Sequence, residues 1–392
     1  MPPRKAPSPP VESSPREVLS ASGPREDEAG GCLTIDLAAI QANWRLLGYT
    51  ALPVDCAAVV KADAYGCGIE PVTKALVKAG CRTFFVADLA EARRVRAVAP
   101  EAAIYVLNGA PAGTGPAFAE AQARPVIGSL VELAEWDRFV AGANWNGGAA
   151  IHVDTGMNRL GMSVEEVLAL TPRMQKENHG ITLLMSHLAC AETPGHPLNN
   201  KQIRLFREIR VQFRGLPASL ANSSGVFLGA AAHCDLVRPG AALYGVNPTP
   251  YAANPMSPVI GLQARIVRIR SVARDETVGY GAAWKPKRPS RLAIVAVGYA
   301  DGYMRAASAT DGRSGGQAIV AGKRCPLAGR ISMDLLAVDV TDVPETESRR
   351  GDVVTLIGDD LGVDEVAKFY GTIGYEVLTS LGRRYHRTYH GA

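Results

Sequence analysis

The stretch Val59-Val60-Lys61-Ala62-Asp63-Ala64-Tyr65-Gly66 decides how the rest of the chain is read. Apolar residues run into it, and the lysine stands where the run turns polar. A strand ending at Lys61 points that amine into the mouth of a barrel or a crevice. In a walled site an ammonium loses hydration, its pKa falls, and the nucleophilic amine becomes accessible. A lysine that forms a Schiff base needs that property. Tyr65, four residues on, can reach a phosphate if the next segment opens a helix. Taken alone, the stretch also fits an exposed lysine at a strand end, the commoner fate of lysines.

Downstream, short apolar runs end in polar or glycine-rich turns and helical patterns follow. The runs are 57–61, 84–88, 104–108, 125–129, 150–154, 183–187, 219–223 and 236–240. Helical periodicity lies between most of them, at 72–79, 90–98, 131–140, 164–174 and 201–213. Eight strand–helix units in about 220 residues match a (β/α)8 TIM-type barrel in count and size. A doubly wound open sheet is the alternative, and the eightfold count favours the barrel. Barrel chemistry sits at the C-terminal ends of the strands. Those ends carry Lys61, Asp88, Asn108, Asp154 with Arg159 beyond it, His187, Asn222 with Ser223, and Arg238. Each has a bland reading as a cap or a satisfied core group; their shared placement is the signal. The turns Asn222-Ser223-Ser224-Gly225 and Arg238-Pro239-Gly240-Ala241 present backbone N–H groups beside small side chains, which suits a phosphate.

Before the barrel, residues 1–30 are rich in Pro, Ser, Glu and Arg and are expected to form a disordered tail. Order is expected from Leu33, with Asp36 capping a helix whose apolar face is Leu37, Ile40, Trp44 and Leu47. The barrel domain is placed at 31–258. From 259 to 392 the pattern becomes mainly β, with runs at 259–272, 291–297, 317–320, 335–340 and 352–357, a helix at 363–370 and a final strand. This β domain carries three polar-aromatic loops, around Tyr280, around Tyr299, and around Met333 and Asp334.

A chain of 392 residues calls for two domains. The net charge of +4 is spread along the chain, and no basic run argues for nucleic acid. The seven cysteines are scattered, with neither a disulfide framework nor a metal-ligand spacing, and read as reduced thiols. No apolar run is long enough to span a membrane and no secretory signal is evident, so the cytoplasm is expected.

Nine segments together resemble the motifs of alanine racemases. The first is Val60-Lys61-Ala62-Asp63-Ala64-Tyr65-Gly66, followed by 153–161 with Asp154 and Arg159, then Met185-Ser186-His187-Leu188-Ala189. Asn222-Ser223, Val237-Arg238-Pro239-Gly240 and Gly279-Tyr280-Gly281 continue the match. Gly298-Tyr299-Ala300-Asp301-Gly302, Ile331-Ser332-Met333-Asp334 and Gly374-Tyr375-Glu376 complete it. Any one is weak; nine in order are specific.

The resemblance implies pyridoxal 5′-phosphate held as a Schiff base on Lys61, in a homodimer. It implies that Tyr65, Ser223 and Tyr375 bind the phosphate, with Asn222 beside them and backbone N–H groups from Gly240 and Ala241. Arg238 is to face the pyridine nitrogen, steadied by His187. Arg159 is to meet the cofactor's phenolic oxygen and the substrate carboxylate. Tyr280 is to enter from the partner subunit as the second base, with Tyr299, Met333 and Asp334 near the entrance. The strand near Leu33 is left open to assignment to the β domain. One departure stands out: many members carry a carbamylated lysine seven residues before the equivalent of Arg159, and here that position is His152.

The expected activity is racemisation of L- and D-alanine by two bases, supplying D-alanine for cell-wall peptidoglycan. Lys61 takes the proton from the D-isomer and Tyr280 from the L-isomer. The nearest alternative is a broad-specificity racemase acting on serine, lysine or arginine. A non-catalytic carrier of the same cofactor would lack the second domain, and a decarboxylase would place a carboxylate where Arg238 stands.

Overall fold

The computed structural model describes residues 18–143, 145–176 and 179–391. Its first barrel strand is broken in two. Asp55–Cys56 pairs in parallel with Leu236–Val237, while Ala58–Val59 pairs with Thr83–Val86 on the other side. From there the sheet continues through Ala103–Val106, Arg124–Ile127, Ala149–His152, Ile181–Met185 and Ala218–Ser219, every pair parallel. The last gap is closed by Asp235 N–H to Ala218 O and Arg238 N–H to Ala221 O, each 2.9 Å. All eight strands therefore form a closed ring, and the doubly wound sheet is excluded.

Strand residues are buried on both faces, so the strands read as continuous apolar runs. Ala57, Val59, Phe85, Tyr105, Val126, Ala150, Leu183, Met185 and Leu236 point inward and fill the barrel. Their neighbours, such as Ala58, Phe84, Ile104, Ile127, Ile151 and Leu184, point outward against the helices. A filled barrel leaves its rim as the place for a site. The helix expected over 164–174 divides into Val164–Leu168 and a 3-10 turn at Thr171–Gln175. Pro172 has no N–H to continue the first piece.

The second unit centres on the strand Ile260–Val272, whose buried residues Ile260, Leu262, Ala264 and Ile266 alternate with more exposed ones. It pairs antiparallel with Gly31–Asp36, Ser290–Val295 and Val353–Ile357. One open assignment is decided here and one expectation is corrected. Gly31–Asp36 belongs to this sheet rather than to the barrel, because it lies between Ile260–Val272 and His386–His390. Val18–Ser22, placed in the tail of 1–30, pairs antiparallel with His386–His390. Edge pairing draws on backbone groups, which a polar composition does not reveal. Residues 1–17 of that tail lie outside the described residues. Asp36 caps the helix Leu37–Ala51 as expected, accepting from Ala39 N–H at 2.9 Å.

Candidate active site

Lys61 follows the last ladder residue of the first strand, where the chain enters a left-handed turn. Ala62, Asp63, Ala64 and Tyr65 have φ of 53°, 54°, 54° and 53°. None is glycine, and this conformation costs L-residues roughly 1–2 kcal/mol each. The turn is closed by Ala64 N–H to Val60 O at 2.9 Å and Gly66 N–H to Ala62 O at 2.8 Å. It is locked to its neighbours by Asp63, whose N–H donates to Glu91 Oε1 at 3.2 Å. The Asp63 carboxylate accepts from Ile69 N–H at 3.0 Å and pairs with Arg94 at 2.7 Å. The Lys61 pKa is lowered, first by burial and then by Arg159, with Glu91 opposing.

Arg238 is buried at the end of the eighth strand. Its guanidinium donates to Ser186 O at 2.7 Å and to Ser219 Oγ, and it lies over the Phe85 ring. These partners hold it, and the carbonyl of His187 accepts from Gln202 beside it. Burial lowers the Arg238 pKa to about 10, so it stays cationic at neutral pH. Sequence reasoning missed the polar chain behind it. Gln202, on the helix Pro197–Gln212, donates to His187 O at 2.8 Å and Thr155 Oγ1 at 3.1 Å, and accepts from Ala189 N–H at 2.9 Å. Thr155 Oγ1 and Ser186 Oγ are 2.8 Å apart. One signal was available: Asn199 and Gln202 share a helix face with Phe206 and Ile209, and all four are buried.

At the seventh and eighth strand ends, Ser223 Oγ accepts N–H groups from Gly240 at 2.9 Å and Ala242 at 3.2 Å. The second converging amide is that of Ala242; Ala241 lines the cavity beside it. A Cβ at Gly240 would lie 2.4 Å from Tyr65 Oη, so only glycine lets this phenol and the turn meet. Tyr65 stacks on buried Tyr244 with centroids 4.7 Å apart, and Tyr244 Oη donates to Val59 O at 3.0 Å. Asn222 is engaged locally, accepting from Gly225 N–H at 2.9 Å and donating to Leu188 O.

Arg159 is exposed on a loop shaped by Asp154, whose carboxylate takes the N–H groups of Gly156, Met157 and Asn158, each at 2.8 Å. His152 is buried beneath it. Burial and the cations Arg238 and Arg159 hold its pKa down to about 4, with Asp154 opposing. His187 is lowered further, to about 3, by burial, Arg238, Arg159, His152 and Lys61.

Lys61, Tyr65, His152, Arg159, His187, Asn222, Ser223, Arg238, Gly240, Ala241 and Tyr375 all line one cavity of about 1180 Å³. Tyr375 reaches it from the β domain, on the helix Gly374–Ser380. Tyr280, Tyr299, Met333 and Asp334 are not brought to this cavity within the chain. Tyr280 is 68% exposed and Met333 53%. Their loops are mutually braced: Tyr299 and Ala300 N–H groups donate to Ser332 O and Met333 O at 3.0 Å. Arg384 ties buried Asp301 to Asp334, at 3.1 and 2.8 Å.

These residues suit an aldehyde cofactor with a phosphate tail. An amine of lowered pKa stands at one side of the cavity. Converging amides with two phenols, Tyr65 and Tyr375, stand at another, and a buried guanidinium stands at the eighth strand. Closed barrel, rim lysine and anion-binding turn together define a lysine-dependent cofactor enzyme of the α/β-barrel class. The alanine racemase N-terminal domain family matches residues 35–248, and the alanine racemase C-terminal domain family matches residues 259–389. An alanine racemase of Methylobacterium sp. (strain 4-46) is 53% identical over 92% of this chain and 98% of its own length. One of Methylobacterium nodulans is 54% identical over 92% of this chain and 96% of its own. The crystal structure of alanine racemase from Bartonella henselae with covalently bound pyridoxal phosphate superimposes with a TM-score of 0.86 at 39% identity. It covers 92% of this chain and 99% of that one. The chain belongs to the alanine racemase family and is a pyridoxal-phosphate-dependent amino-acid racemase.

Proposed function

We propose that the protein interconverts L- and D-alanine with Lys61 and Tyr280 as bases on opposite faces of the substrate. The observation that carries this is the placement of Lys61, with its lowered pKa, in the same cavity as Arg238 and the Ser223–Gly240 turn. Pyridoxal phosphate, when bound, supplies the electron sink that makes the substrate Cα proton removable. Lys61 would hold the cofactor through its Nζ, and the same amine is placed to move a proton on one face of the substrate. Ser223, Tyr65, Tyr375 and the amides near Gly240 would hold the phosphate, with Asn222 shaping the turn. Arg238, cationic at working pH, would meet the cofactor's ring as a hydrogen-bond donor that does not surrender a proton. Arg159 takes the substrate carboxylate. His152 is neutral and forms no stable carbamate, so the loop held by Asp154 orients Arg159.

Tyr280 is far more exposed than a working base in a sealed site, and the partner subunit's Tyr280 completes the cavity in a homodimer. Tyr299, Met333 and Asp334 form the entrance from the same face. D-alanine for peptidoglycan is the product used, in the cytoplasm. No helix among the described residues is long and apolar enough to cross a membrane. The relatives compared above are all named for alanine, and nothing in them favours serine, lysine or arginine. The test is a racemisation assay on purified protein with L-alanine, L-serine, L-lysine and L-arginine. Alanine turnover that disappears together with the protein's visible absorption in Lys61→Ala supports the reading. Parent protein that is colourless and inert after cofactor is supplied ends it.

A further inference from the structure

The left-handed turn that carries Lys61 has no glycine between Ala62 and Tyr65, so something outside it must hold it. The helix Leu89–Val98, which follows the second barrel strand, does so with two residues one turn apart. Glu91 spans two backbone segments: Oε1 accepts Asp63 N–H at 3.2 Å, and Oε2 accepts Ala87 N–H at 2.8 Å. Arg94 grips the Asp63 carboxylate at 2.7 Å, and the same carboxylate receives Ile69 N–H at 3.0 Å. Backbone and side chain of one turn residue are thus both seized by one helix. Asp88 caps that helix by accepting Glu91 N–H at 3.0 Å, which fixes where Glu91 starts.

We infer that Glu91 and Arg94 form a clamp on Asp63 that positions Lys61 in the barrel mouth, Glu91 being the positioning residue for the catalytic amine. Glu91 is also the carboxylate whose charge opposes the lowering of the Lys61 pKa. The clamp ties the first strand's exit to the second strand's exit, which fixes where the amine enters the barrel mouth. Arg94 also takes both oxygens of Glu70, at 2.5 and 2.6 Å, so Glu70 braces the clamp from outside.

The inference rests on the reading of Lys61 given above, and the experiment separates the two. Amide hydrogen exchange over residues 61–68 is measured on cofactor-free protein, and kcat and KM for alanine on loaded enzyme. The proteins are the parent, Glu91→Ala, Glu91→Gln and the control Glu120→Gln. In Glu91→Ala, exchange over 61–68 is expected to rise ~10-fold or more. Its kcat falls by about 10²-fold, the scale of a small misplacement, while KM changes far less. Glu91→Gln keeps an acceptor and is expected to fall between, and it carries the test if Glu91→Ala does not fold. Glu120→Gln, which loosens only an exposed pair with Arg93 on the same helix, is expected to match the parent. Unchanged exchange in both Glu91 variants overturns the clamp, and raised exchange with parental kcat overturns its positioning role. A parent without visible cofactor absorption overturns the Lys61 reading and this role with it, while the exchange data still decide whether the clamp exists.

Discussion

Lys61 is walled in by the barrel rim, whereas Tyr280 lies open on a loop whose glycines, Gly279 and Gly281, both have positive φ. If Tyr280 is the base for one face alone, Tyr280→Phe stops proton removal from L-alanine. The expected loss in kcat is on the order of 10²–10⁴-fold, with visible cofactor absorption retained; a chiral assay of alanine turnover checks it. His152 gives a second prediction. Its pKa of about 4 in the fold lies below the ordinary 6.5, so between those values the unfolded chain binds a proton that the barrel refuses. Stability is therefore full above pH 6.5, falls as the pH drops towards 4, and levels off below. For this residue the loss between pH 7 and 5 is roughly 2 kcal/mol, and His187 adds to it in the same direction. Urea unfolding at the two pH values measures it, and His152→Gln should show a smaller difference than the parent.

The left-handed turn at 62–65 ends at Gly66, which has φ of 79° and would set a Cβ 2.4 Å from Leu378 O. That oxygen is backbone, so it cannot swing aside. Gly66→Ala should cost more than ~2 kcal/mol and weaken cofactor retention, as thermal melting and dialysis of loaded protein would show. This element also marks how far the amino-acid sequence can be read. The eight barrel strands were legible because burial on both faces leaves unbroken apolar runs, and the lysine stood out as the polar residue ending one. The ladders stop a few residues short of the expected run ends, since the residues that line the cavity lie just past the last paired amide. The turn itself was not legible: Ala62 to Tyr65 contain nothing that advertises positive φ. Nor was the strand Lys323–Pro326, a charged edge paired to Gln317–Val320 through backbone bonds. The buried chain from Gln202 to Arg238 escaped notice because each member is individually unremarkable and only the packing brings them together.

The β domain is discontinuous, with the barrel inserted between Gly31–Asp36 and Ile260–Val272. Its outer face offers Tyr280, Tyr299, Met333 and Leu335, all exposed, which is where a second copy would bury apolar area. If each cavity borrows its tyrosine from the other subunit, two dead variants can rescue one another. Lys61→Ala and Tyr280→Phe chains, mixed after dissociation and allowed to reassociate, should regain about one quarter of the parental sites by random pairing. No recovery despite confirmed exchange of subunits would exclude a shared site. The strand His386–His390 lies between Val18–Ser22 and Gly31–Asp36, so Thr34 finds its neighbour in Thr388. On the ribosome, a nascent chain completes its barrel segments while that sheet still waits for the strand beside Gly31–Asp36. Throughout that interval Gly31–Asp36 keeps one flank open to strangers, the kind of unpaired edge that invites association between unfinished chains.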